Sequence, residues 1–275
     1  GTVGVITLGR ESYSWDVDAE LNRAIDWLSA AGIEQVLLSR DFHLATQLVG
    51  ADVGEFFPGL EDPEKGTELA RAWSETARRL ETDFAVSVAF LDGKRCLGGL
   101  LELVLHCHYV VAVEDVLVGF PEVTLPVIPG MEGCHLPFRR AAPEDWPRIL
   151  ALLLEGEPIE AREAVGWLID RAAPLEEALA TAWAIASGGD HGVERRSLKA
   201  GPIEGVAENV GPLRAAGSPG GAAARRAIVE TARAACALPR DEALDVQARH
   251  AGAFIGSAEC REGQIGMAFE KARVA

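Results

Sequence analysis

The chain reads as an α/β protein closed by a helical C-terminal region. Three observations predict this class. From residue 3 to residue 186, apolar strand-like runs alternate with amphipathic helical segments across short joins, the pattern of βαβ units. A glycine-rich stretch, 187–222, follows, and the segments from 223 to 275 carry helical periodicity only. Hydrophobic residues make up 48% of the 275 residues, enough for a sizeable core, while aromatics make up 6%, so aliphatic side chains and alanine must do most of the packing.

The elements follow in order. Val3–Leu8 is an apolar first strand. Residues 18–31 place Leu21, Ala24, Ile25 and Leu28 at helical spacing, and Gly32 supplies the stop. Residues 35–39 form a second strand and 66–82 a second amphipathic helix. Residues 84–91 are continuously apolar, as in a strand buried on both faces, and Asp92-Gly93 is turn chemistry. A helix over 98–107 and strands over Tyr109–Val113 and 116–119 come next. Pro129-Gly130-Met131-Glu132-Gly133 is a turn opening into a helix, and 147–154 and 161–168 have helical spacing. The stretch 187–222 reads as a linker or poorly ordered excursion. Helices over 223–237, 241–253 and 262–273 complete the chain. A strand begins two residues from the first residue and there is no initial Met, as expected of a piece of a longer polypeptide.

Charge narrows the function classes. There are 42 acids against 26 bases, a net charge of -16, and no basic stripe. Nucleic-acid binding needs a basic footprint, so that class is excluded. An anionic ligand must then be held by a few local bases and backbone N–H groups against the overall field. The five cysteines, Cys96, Cys107, Cys134, Cys236 and Cys260, are odd in number and irregular in spacing. This fits reduced thiols and a cytoplasmic location. The apolar runs are too short to cross a membrane.

Two motifs carry chemistry. In Leu97-Gly98-Gly99-Leu100-Leu101-Glu102, a glycine turn opens an apolar helix. The first N–H groups of a helix lack internal partners and its dipole favours negative charge there. A thioester oxygen at the Gly99 N–H would be polarised as an enolate forms. Glu102, one turn on, leans back toward the same mouth; its plainer alternative is a solvated first-turn acid. In Gly119-Phe120-Pro121-Glu122 a second carboxylate follows a strand and a proline. Two carboxylates in one apolar cleft can divide into an acid and a base.

These motifs, with Gly50-Ala51-Asp52 before them and Pro129-Gly130-Met131-Glu132-Gly133 after them, resemble the crotonase superfamily, the enoyl-CoA hydratase/isomerase family, in order and separation. Gly156-x-x-Ile159-x-Ala161-x-x-Ala164 and Glu262-Gly263-x-x-x-x-Ala268-Phe269-x-Lys271-x-Arg273 extend the resemblance over nearly the whole chain. It implies a spiral of ββα units over 1–186 holding the active site, and a trimerisation region over 223–275. It implies a homotrimer or hexamer acting on an acyl-CoA or acyl-carrier thioester in fatty-acid metabolism, with no cofactor beyond the coenzyme A of the substrate. Ala51 and Gly99 would be the oxyanion-hole N–H donors. Glu102 and Glu122 would be the catalytic carboxylates, Gly130 would position the water, and Lys271 would meet CoA phosphates in a neighbouring subunit's site.

Three departures stand out. Leu100 replaces the family's third glycine, Glu132 replaces another glycine, and Gly54 stands where a lysine near CoA is common. Retaining both glutamates favours hydration or dehydration. The same family also holds isomerases and ring-opening C–C hydrolases, and a non-catalytic crotonase-like module of a larger polypeptide is the alternative from another class. No metal is expected: His106 and His108, two apart on a helix, point away from each other. Gly-x-Ser-x-Gly and Gly-x-Gly-x-x-Gly are both absent.

Overall fold

A computed structural model describes residues 2–41, 48–208, 210 and 218–274. In chain order the elements are β1 (Val3–Leu8), α1 (Trp15–Ala30), β2 (Gln35–Arg40), α2 (Phe57–Glu61), α3 (Pro63–Thr82), β3 (Val86–Leu91), β4 (Arg95–Leu97), α4 (Gly98–Val104), β5 (Tyr109–Val113) and β6 (Leu117–Gly119). They continue with α5 (Leu136–Arg140), α6 (Trp146–Glu155), β7 (Ile159–Glu160), β8 (Arg171–Ala173), α7 (Leu175–Ser187), α8 (Pro219–Cys236), α9 (Arg240–Ile255), α10 (Ala258–Arg261) and α11 (Gln264–Val274). The fold is a mixed α/β architecture built on a parallel sheet, as the sequence predicts.

The contacts divide the chain into two interleaved units. One comprises Gly1–Gly50, Glu75–Val118 and Ile159–Ser197; the other comprises Ala51–Ser74, Gly119–Pro158 and Leu198–Ala275. The first holds a five-stranded sheet in the order β1-β2-β3-β5-β8, with every pairing parallel. Val88, Phe90, Tyr109 and Val111 of the central strands are covered by Ala178, Ala182, Ile185 and Ala186 of α7. Small alanines let the helix lie close to the sheet, so that the valines and aromatic rings of the strands are packed to core density. A second, three-stranded sheet runs β4-β6-β7. Helix α1 starts where the Ser14 hydroxyl caps the Val17 N–H and stops at Gly32, φ +70°.

The second unit is helical. Within it Gly66 of α3 and Gly252 of α9 meet: a Cβ on Gly66 would lie 2.9 Å from the Gly252 Cα. Arg71 and Asp245 pair at 2.9 Å across the same two helices. Arg139 of α5 is fully buried, and its guanidinium donates to the carbonyls of Lys199, Gly201, Ala235 and Leu238.

Three local expectations are corrected. Residues 161–168 are not a helix: a 3-10 turn over Ala161–Ala164 gives way to a loop closed by a Val165–Ile169 bridge, because Gly166 takes φ +93°. Helix α8 starts at Pro219 rather than 223, since Ser218 caps it through the Gly221 N–H at 3.0 Å. Within 187–222, residues 189–208 carry neither helix nor strand, yet specific bonds fasten them: Arg196 pairs with Asp170 at 2.6 Å, and Lys199 donates to the Ala141 carbonyl. Residues 209 and 211–217 of that stretch lie outside the described residues.

Candidate active site

In the first unit the backbone brings two expected site segments side by side. Leu48 bridges Cys96 in parallel, with the Leu48 N–H donating to the Arg95 carbonyl and the Leu97 N–H to the Leu48 carbonyl, both at 2.9 Å. On the other side, the Val49 N–H reaches the Glu11 carbonyl and the Tyr13 N–H reaches the Gly50 carbonyl, both at 2.8 Å. Gly50 is thereby held against the start of α4. Its φ is +100°, and a Cβ there would lie 3.3 Å from the Leu97 carbonyl oxygen and 3.7 Å from the Gly99 nitrogen. Only glycine serves such a position without strain.

Helix α4 begins from an extended Leu97, with Gly98 at φ +54°. Gly99 therefore lies in the first turn, where the N–H has no intrahelical acceptor and the dipole is positive. Glu102 is 1% exposed, so it is not the solvated acid of the plainer alternative. Its backbone carbonyl meets the His106 Nδ1 at 2.9 Å. Leu100, in place of a glycine, is buried with the other apolar residues of α4.

Ala51 opens the second unit, and the Asp52 carboxylate after it accepts from the Gly54 N–H at 2.9 Å. Glu122 sits in a 3-10 turn, Pro121–Thr124, and is buried. Its carbonyl accepts from Leu125 at 2.9 Å and Val127 at 3.1 Å. Glycines frame this turn. A Cβ on Gly119 would lie 2.9 Å from the Pro158 Cα, and one on Gly156, at φ +71°, would lie 2.7 Å from a Val123 methyl. Gly130 is not at a helix start, contrary to expectation: α5 begins six residues later, and Gly130 lies in irregular chain. Lys271 is exposed near the end of α11.

Each unit thus assembles its own share. Gly50 meets Gly99 in the first, which also carries Glu102; Ala51, Glu122, Gly130 and Lys271 belong to the second. Among the described residues no group of three or more His, Cys, Asp or Glu could hold a metal ion, and no helix is long and apolar enough to cross a membrane. His108 is engaged structurally, its Nδ1 accepting from the Ser87 N–H at 3.0 Å.

Sequence reasoning missed His135, Arg139, Arg240 and Gln247, all in the second unit around the 129–133 turn. Gln247 straps that turn: its Nε2 donates to the Pro129 carbonyl at 2.8 Å and its Oε1 accepts from the Cys134 N–H at 3.2 Å. The one available signal was Glu132, an acid among turn glycines.

A probable enoyl-CoA hydratase of Rhizobium meliloti is 33% identical over 199 residues, which are 68% of this chain and 73% of that protein. A probable enoyl-CoA hydratase of Bacillus subtilis is 31% identical over 147 residues, 53% of this chain and 54% of that protein. The chain belongs to the crotonase superfamily, the enoyl-CoA hydratase/isomerase family. A carnitinyl-CoA dehydratase structure from Mycobacterium thermoresistibile matches 99% of this chain and 87% of its own, with TM-score 0.70 at 18% identity, a likeness of fold. No protein-family model matches. The matched stretch spans about half (54%) of the Bacillus relative and 13% of a longer one, a peroxisomal bifunctional enzyme of Cavia porcellus.

Proposed function

We propose that the chain adds water across the double bond of a 2-enoyl-CoA thioester, or removes it in reverse. The observation that carries this reading is the seating of Gly50 against the first turn of α4, a backbone cradle lined by the Gly99 N–H and lacking any Cβ. In this reading the Ala51 and Gly99 N–H groups hold the thioester oxygen, each contributing about 3 kcal/mol as negative charge develops on it. Glu102 takes a proton from water as the water oxygen bonds to C3. The electron pair of the double bond moves into the enolate. Glu122 delivers a proton to C2, the enolate collapses to the thioester, and both carboxyls are reset by exchange with solvent.

Gly130 would hold the water through its N–H. Lys271, exposed on α11, would reach the CoA phosphates bound to a neighbouring copy in a trimer or hexamer. No cofactor is required beyond the CoA of the substrate, and the reaction would take place in the cytoplasm. The enzyme-class relatives above support hydration over the isomerase and C–C hydrolase chemistries of the same family.

The test is loss of the enoyl absorbance of crotonyl-CoA on addition of purified protein. Loss that disappears in both Glu102→Gln and Glu122→Gln supports the reading. Retained absorbance at every acyl length, together with measurable CoA binding, overturns it in favour of a non-catalytic module.

A further inference from the structure

The 129–135 turn contains a residue that is costly to place there. Glu132 takes φ +72°, a left-handed conformation that favours glycine, and its side chain is fully buried. Strain and burial of a carboxylate both argue against glutamate at this position. It is retained because a set of buried groups is built around it. The Glu132 Oε2 lies 3.3 Å from the His135 Nε2 and 3.8 Å from the Arg240 Nε. The other ring nitrogen, His135 Nδ1, accepts from the Arg139 Nε at 3.2 Å. A ring nitrogen that accepts from a guanidinium carries no proton, which leaves the His135 proton on Nε2, the nitrogen 3.3 Å from the Glu132 Oε2.

The chain of contacts has a fixed far end. Arg139 is anchored by carbonyls from two other segments: Lys199 at 3.0 Å and Gly201 at 2.7 Å, and Ala235 at 3.1 Å and Leu238 at 2.7 Å. The near end is fixed by backbone. The Glu132 carbonyl accepts from the His135 N–H at 3.0 Å and the Leu136 N–H at 2.8 Å. The Gln247 strap from Pro129 to Cys134 holds the same segment, which carries Gly130.

We propose that Glu132 is a positioning residue: its carboxylate, clamped by His135 and Arg240, locks the turn so that the Gly130 N–H presents the attacking water. This rests on the hydratase reading above. A turn held only by backbone could rotate about Gly130 and Gly133; the buried carboxylate ties its apex to α5 and α9.

The test compares two reactions in Glu132→Gln and Glu132→Gly. Hydration of crotonyl-CoA needs the positioned water. Exchange of the C2 proton of butyryl-CoA in D2O needs the oxyanion N–H groups and a carboxyl, but no water at C3. Hydration kcat falls about 10- to 100-fold in both variants if a displaced water is the cause. The KM and the exchange rate stay within about twofold of wild type. Glu132→Gln keeps an acceptor for His135, and Glu132→Gly relieves the φ strain, so the two bracket a folding artefact, with melting curves as the check. Unchanged hydration in both variants overturns the proposal, as does parallel loss of hydration and exchange. A wild-type protein that does not hydrate crotonyl-CoA overturns the hydratase reading instead, and the inference with it.

Discussion

Replacing Gly50 with alanine tests the cradle directly. Its φ of +100° lies beyond the left-handed helical well near about +57°. A residue with a Cβ held there costs about 1–3 kcal/mol. The added carbon would lie 3.3 Å from the Leu97 carbonyl oxygen, close enough that backbone must yield by tenths of an ångström. For a chain of this length, that strain lowers the melting temperature by about 2–6 °C. The larger effect is on rate. The same carbon would lie 3.7 Å from the Gly99 nitrogen, on the approach that the proposed function gives the thioester oxygen. Weakening one oxyanion donor costs about 10²–10³ in kcat. Gly9→Ala is the control, since a Cβ there meets nothing within 4 Å and φ is not positive. Calorimetry and crotonyl-CoA turnover read the two effects. A Gly50→Ala protein that melts within about 1 °C of wild type and turns over within about twofold refutes the reasoning at both levels.

Gly156→Ala puts a Cβ 2.7 Å from a Val123 methyl at φ +71° and is expected to lose about 2–4 kcal/mol in urea denaturation, with reduced turnover because Glu122 shares that turn. Arg139→Met removes a buried donor to four carbonyls, and the same denaturation series is expected to show a loss of about 3–5 kcal/mol. Burial, aided by Arg249 and opposed by Glu230, lowers the His250 pKa below its ordinary 6.5. The unfolded chain then binds the proton more readily, so this contribution to stability is intact above about pH 6.5 and lost as pH falls through the lowered value. His250→Gln is expected to reduce the difference in melting temperature between pH 7 and pH 5. Burial pushes the Cys236 and Cys260 thiols up to about 12 and Cys96 higher still. A thiol reagent at pH 8 is expected to leave these three unlabelled until denaturant is added, as mass spectrometry of digests can read.

Much of the fold was legible because its signals are local. Val3–Leu8 and Tyr109–Val113 are short and largely apolar, and both form strands over those residues. What was missed had no local signal. β4, β7 and β8 span two or three residues each, too few for any period to register. Helix α7 is absent from the sequence reading; its buried face is largely alanine, which carries weak apolar contrast. The helical spacing over 161–168 was real in the sequence, and Gly166 broke it by taking a conformation no helix contains.

The site divides along the same line. Glycines announce themselves: Gly50, Gly98, Gly119 and Gly156 each fill a position where φ or space forbids a side chain, and all four lie in motifs visible from the sequence. Buried polar partners do not. Gln247 reaches back 118 residues to Pro129, and Arg139 reaches forward 99 to Leu238. Neither separation leaves a pattern in a single chain. Glu132 is where the two kinds of information meet. Its spacing among glycines marks it as out of place, and its backbone φ shows why glycine would be the easier residue. His135 and Arg139 from the next turns of chain, and Arg240 and Gln247 from a distant helix, then supply what the local conformation lacks. A strained, buried carboxylate persists only where such surroundings over-determine it. Relieving the strain with glycine should therefore raise stability only if His135 and Arg240 can be left without this carboxylate. Since both are themselves buried or nearly so, the net gain from Glu132→Gly is expected to be smaller than the φ strain alone would return.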